Sequence, residues 1–264
     1  MQIRQRALDV LALPTPADKC EALDALCAQA QDWSFAPVHP PATLTLPGRP
    51  ERPRLIDPGD VPTRSPFTHE GLAALAHAIC HIEFNAINLA LDAVWRFDGM
   101  PEAFYRDWMQ VAHEESQHFR LLRERLQALG HDYGDFDAHD GLWTMCDKTR
   151  HDPIARMALV PRTLEARGLD ATPLIQHKLR KVGTPHALAL CEVLDTILRE
   201  EIGHVEIGNR WYRWLCDRAQ QDPIALYPQL AACYQAPRPR PPFNTEAREA
   251  AGFSAQELAW LQSA

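Results

Sequence analysis

The sequence has no run of about 18 apolar residues, the length a helix needs to cross a bilayer, so no membrane span is expected. It has no CxxC pair. Its seven cysteines (Cys20, Cys27, Cys80, Cys146, Cys191, Cys216 and Cys233) are odd in number and scattered. That argues against a disulfide framework or a zinc knuckle and for reduced thiols in a cytoplasm. Positive charge is in short supply: 27 Lys and Arg face 35 Asp and Glu, a net charge of -8. No overall field therefore draws nucleic acid or anionic lipid. The opening MQIRQRALDVLALPTP is broken by Asp9 and is too short and charged for a secretory leader. No flavin or nicotinamide fingerprint and no solenoid repeat occur. Strand punctuation is nearly absent.

Helix punctuation, by contrast, is frequent. A capping residue precedes proline at Thr15-Pro16, Asp152-Pro153, Thr172-Pro173, Thr184-Pro185 and Asp222-Pro223. The spacing predicts helices over 2–31, 68–97, 101–129, 152–168, 172–182, 184–218, 222–234 and 254–261. A proline-rich stretch at 36–66 has room for one short strand, at Thr43 to Leu46. The chain divides into an N-terminal cover (1–66), a central four-helix region (67–219) and a C-terminal extension (220–264). The proline segments read as an extended coat. A second reading is that Arg49, Arg52, Arg54, Arg238 and Arg240 form an anion or phosphate track.

Acids interrupt the apolar stripes of the four long helices. Glu83 falls among Leu75, Ile79, Ala86, Ala90, Ala93 and Phe97. Glu115 and His118 fill a gap in the stripe of Trp108, Val111, Phe119, Leu122, Leu126 and Leu129. Glu201 and His204 do the same among Leu190, Leu194, Ile197, Gly208, Trp211 and Leu215. Glu165 sits beside Leu164, on a pattern carrying Pro161 that is expected to kink and to end at Gly168. A buried carboxylate costs several kcal/mol unless it is paired or bound to a cation. Buried polar pairing accounts for one or two such groups. A recurring order of lone Glu and Glu-x-x-His, with each Glu and His one turn apart, fits two divalent ions better. Oxygen ligands with a minority of imidazole suit iron or manganese.

The order Glu…ExxH…Glu…ExxH resembles that of the ferritin-like di-iron carboxylate superfamily. HIEFNAINLALDA, HEESQHFRLLRERLQALG, EARGLD and REEIGHVEIGNRWY are similar to an uncharacterised bacterial family of ferritin-like proteins. The resemblance covers residues 68–218 and the tail segment PPFNTEAREAAGFS, and implies an all-α fold: an antiparallel four-helix bundle with helical and proline-rich extensions. It also implies that Glu83, Glu115, His118, Glu165, Glu201 and His204 are both the metal ligands and the catalytic centre for two Fe, with Mn as the other candidate. Glu192 is a substitute for Glu165. Glu114 and Glu200 are expected to point outward or to support the ligands from behind, and His81 and Asp195 to orient the ligating histidines. Trp108, Trp211, Tyr105 and Tyr212 read as core.

Such a centre implies an oxygen-using oxidoreductase. Its substrate would be a small molecule or a modified nucleoside, its electrons would come from an external donor, and nucleic acid is not expected as a partner. A more distant similarity is to the di-iron hydroxylases that modify tRNA. The alternatives are ferroxidase, iron-storage or peroxide-detoxifying activity, and a metal-stabilised scaffold without activity. Bulky flanks disfavour a cage, so a monomer or dimer is expected.

Overall fold

The computed structural model describes residues 1–38 and 44–263. Among these every regular element is helical, and the pairing of extended backbone is limited to isolated bridges, Gln2 with Ser34 and Leu55 with Ala138. Thr43 of the expected short strand lies outside the described residues, and 44–46 form no strand. Packing separates two compact units, 1–143 with 184–190, and 144–183 with 191–264.

The first unit is built on α3 (His69–Arg96) and α4 (Glu102–Ala128), preceded by α1 (Ile3–Leu11) and α2 (Pro16–Cys27). Thr68 caps α3 by accepting from the Gly71 N–H at 3.1 Å. After Phe97 the chain turns at Gly99, whose φ of +67° suits glycine. It returns as α4, antiparallel to α3. The register shows in three pairings: Phe97 against Phe104, Glu83 against His118, and the Cys80 thiol donating to the Phe119 carbonyl. Phe84, Phe104, Phe119, Trp108 and Leu122 are buried along this seam. Each such side chain contributes roughly 1.5–3 kcal/mol.

Two buried cations dock the N-terminal helices. Arg4 donates to the carbonyls of Val94 (3.3 Å) and Trp95 (2.9 Å) and pairs with Asp98 at 2.6 Å. It thereby satisfies carbonyls that the end of α3 leaves open. Lys19 donates to the Leu11 carbonyl (2.8 Å) and to Asn88 Oδ1 (2.6 Å). Burial, followed by repulsion from Arg49, lowers its ammonium pKa to about 7. By length and hydropathy α3 could span a membrane, but most of its apolar window is buried within the protein. Two arginines of the proline-rich stretch are ion-paired, Arg49 to Asp140 (2.7 Å) and Arg54 to Asp137 (2.6 Å).

α5 (Gly141–Lys148), which the sequence reading did not anticipate, runs from the first unit into the second, and α8 (Pro185–Arg218) spans the same division. The second unit also holds α6 (Pro153–Leu159), α7 (Ala166–Val182), α9 (Pro223–Cys233), α10 (Thr245–Ala250) and α11 (Ala255–Ser263). The expected caps Asp152 and Asp222 accept from the Ala155 N–H and the Ile224 N–H. Thr172-Pro173 is not a cap. α7 continues through Gly168 and carries Pro173 inside it. Between α6 and α7 the chain makes a π-turn, Val160–Glu165. A core of Ala166, Leu169, Val205, Ala251, Phe253 and Leu258 joins α7, α8 and the C-terminal helices.

Candidate metal centre

Glu83 on α3 and Glu115 and His118 on α4 meet inside the first unit. His118 Nδ1 lies 3.2 Å from Glu115 Oε2 and 3.4 Å from Glu83 Oε2. One ligating atom from each residue falls within 4.8 Å of the others, and all three residues are buried. The one-turn spacing of Glu115 and His118 puts both on the α4 face turned to α3, and the antiparallel register brings Glu83 opposite them.

Burial, followed by repulsion from Glu115, pushes the Glu83 carboxyl well above the usual range. For His118 burial opposes protonation, but the hydrogen bond with Glu115 and the negative charges of Glu115 and Glu83 outweigh it and push its pKa up to about 11. Glu83 Oε2 is buried and, among the described residues, has no hydrogen-bond donor: the His118 approach is close enough for an ion pair but is not aligned as a hydrogen bond. Two carboxylates and an imidazole, buried and converging, are a donor set that fits a divalent ion.

The second unit carries the other three expected residues. Glu201 and His204 are buried one turn apart on α8, with His204 Nδ1 at 3.7 Å from Glu201 Oε1. Glu165 is buried as the last residue of the π-turn. Pro161 has no N–H to donate and cannot extend an ordinary helix. Within the turn the Thr163 hydroxyl donates to the Ala158 carbonyl at 2.7 Å. A π-turn widens the helix by one residue and re-aims the side chains that follow, and such turns recur at functional sites. Here Glu165 is the residue that it re-aims.

Of the neighbours singled out in the sequence, His81 does not reach His118. Its Nε2 lies 3.1 Å from the His139 carbonyl and 3.0 Å from the Asn85 amide nitrogen. Its Nδ1 is hydrogen-bonded to the Tyr133 hydroxyl at 2.9 Å. Asp195 accepts from Gln176 at 2.6 Å. Glu192 is exposed, Glu114 and Glu200 half-buried. Tyr105 donates to the Phe97 carbonyl and Tyr212 to the Pro223 carbonyl, and Trp108 and Trp211 are buried as core. The sequence reading missed Arg162, Asn209 and Glu257, a buried ionic set around the π-turn. Its only sequence signal was a lone arginine beside Pro161.

Residues 12–259 match a protein family described as "Protein of unknown function (DUF455)". The chain belongs to this family. An uncharacterized protein of Haemophilus influenzae is 51% identical to it over 219 residues, 80% of this chain and 75% of that relative. No solved structure matches. The matched span takes in all six candidate residues, from Glu83 to His204.

Proposed function

We propose that the chain is a metal-dependent oxidoreductase in which Glu83, Glu115, His118, Glu165, Glu201 and His204 hold a carboxylate-bridged pair of iron ions. Manganese is the other ion that the donor set accepts. The observation that carries this reading is the buried convergence of Glu83, Glu115 and His118, with ligating atoms within 4.8 Å of one another. The repeat of the Glu-x-x-His pattern at Glu201 and His204, with a further buried acid at Glu165, supports two ions over one. A ferritin-like four-helix arrangement of α3, α4, α8 and the run α6–α7 is part of the same proposal.

A reduced iron pair supplies two electrons to dioxygen. The protein supplies the surroundings. Ionised Glu83 and Glu115 provide the negative charge that an ion needs, and His118 gives up its proton to present a free Nδ1. Phe84, Phe119 and Trp108 line α3 and α4 nearby and keep bulk water away. The six candidate residues thus act as ligands and positioning groups, while the substrate is a small molecule or modified nucleoside and the electrons come from an external donor. Five of the seven cysteines are buried and all seven are free, which supports a reducing compartment such as the cytoplasm.

The test is oxygen uptake. The protein is loaded anaerobically with ferrous iron, freed of excess metal and mixed with aerated buffer in an oxygen-electrode cell. Uptake that is stoichiometric with bound iron and lost in Glu115→Ala supports the reading. Loaded protein that leaves oxygen untouched sinks it.

A further inference from the structure

We propose that the second unit carries a separate binding site for the carboxylate head of an amphipathic monocarboxylic acid. It lies in a small cavity beside the π-turn, and it does not rest on the metal reading.

The floor of this cavity is cationic and aromatic. Arg162 and Arg248 both border it, and both are buried, at 4% and 1% exposure. Both guanidinium groups lie near the Phe253 ring, at 4.7 and 5.1 Å from its centroid, and Arg162 also faces Tyr227 at 5.1 Å. Arg162 donates from Nη1 to Asn209 Oδ1 at 2.6 Å and from Nη2 to Glu257 Oε1 at 2.7 Å. Its third donor, Nε, is buried and meets no acceptor among the described residues. An unmatched N–H on a buried guanidinium is costly and calls for an acceptor.

The charges leave room for an anion. Glu257 also borders the cavity, but its oxygens are engaged: Oε1 by Arg162, and Oε2 by Arg213 (3.0 Å) and by the Ser254 N–H (2.7 Å). Asp170 is engaged by Arg248 at 2.6 Å. Three guanidinium groups therefore share two carboxylates, one positive charge in excess.

Size and rim select the ligand. The cavity offers about 20 Å³, room for one or two waters or for a head group of similar bulk. A planar carboxylate fits this room and is the usual partner of a guanidinium. The rim is apolar: Ile224 and Pro228 are half-buried and Trp260 is exposed. The body of the acid would lie over these residues. A free inorganic anion would leave them uncovered.

The test titrates the full chain, in buffer with chelator so that no bound metal captures the acid, with 3-phenylpropionate, octanoate and 3-phenylpropionamide by calorimetry. Saturable binding of the acids, at least about tenfold tighter than the amide, is expected from the loss of charge-assisted hydrogen bonds. Ile224→Trp fills the rim without touching a guanidinium and should abolish binding with an unchanged circular-dichroism spectrum. Should that substitution disturb α9, a second arm decides: photolysis with 3-(4-benzoylphenyl)propionate should label peptides holding Tyr227 or Trp260. No saturable binding by either acid, equal affinity for acid and amide, full affinity in folded Ile224→Trp, or labelling elsewhere would each overturn the proposal.

Discussion

Gly208 of α8 lies directly against Pro161 of the π-turn: a Cβ on the glycine would come 2.5 Å from the proline Cβ. No real pair of carbons tolerates that approach, so the π-turn keeps its place only because residue 208 has no side chain. The next residue, Asn209, accepts from Arg162 at 2.6 Å and ties the same turn to α8.

Gly208→Ala should therefore displace Pro161 and, four residues on, Glu165. The expected cost is about 1–3 kcal/mol of stability, as for other overpacked sites, together with weaker iron retention. Urea unfolding and iron content after dialysis are the two measurements. A variant as stable as the parent and fully loaded would mean that the turn yields without moving its acid.

A second expectation concerns pH. His77 is buried and accepts the Gly134 N–H at Nε2 (3.0 Å). Burial lowers its pKa to about 4, with Asp135 opposing the shift and His131 adding to it. In the unfolded chain the imidazole takes up its proton near pH 6.5, ahead of the folded form. The stability due to a neutral His77 is thus whole above pH 6.5 and is lost as the pH falls through 4. It amounts to roughly 3 kcal/mol. Unfolding free energies between pH 7 and 4 should fall less steeply in His77→Gln than in the parent. Identical slopes would remove His77 from the account.

Arg4 provides a third. Arg4→Ala would strip donors from the carbonyls of Val94 and Trp95 where α1 docks on the end of α3. The expected loss is about 2–4 kcal/mol, since buried acceptors are left bare. Chemical denaturation checks it, and a change below about 0.5 kcal/mol, the scatter of ordinary surface substitutions, would show that water replaces the arginine at no cost.

Much of this was legible in the sequence, and the rest was hidden for definite reasons. The ends of α3, α4 and α8 follow from local capping and from the helical period, which depend on neighbours a few residues away. The meeting of Glu83, Glu115 and His118 followed from acids interrupting apolar stripes. The π-turn and the unbroken α7 did not follow, because their supports are distant in the chain. Pro173 leaves the Leu169 carbonyl without its helical donor, and Asn244, far along the sequence, supplies one at 3.2 Å. Thr172-Pro173 therefore reads locally as a helix start and is nonetheless interior. Glu257, which pairs with buried Arg162, lies 95 residues away and in no motif.

The oligomeric state bears on the choice between an enzyme and an iron store. A chain of 29.8 kDa should elute as a monomer or dimer. Elution as a shell of many subunits would favour storage over substrate oxidation.

The central claim is that acids and histidines from both halves of the motif hold one pair of ions. Metal analysis of protein from iron-supplemented cells tests it most directly, with Glu115→Ala and Glu201→Ala measured alongside. The account predicts about two iron ions per chain in the parent and a loss of most of the iron in each variant, because either half alone leaves a bridged pair incomplete. Zinc alone in the parent, or folded parent protein without metal, or a Glu201→Ala variant that keeps the full complement, would contradict it.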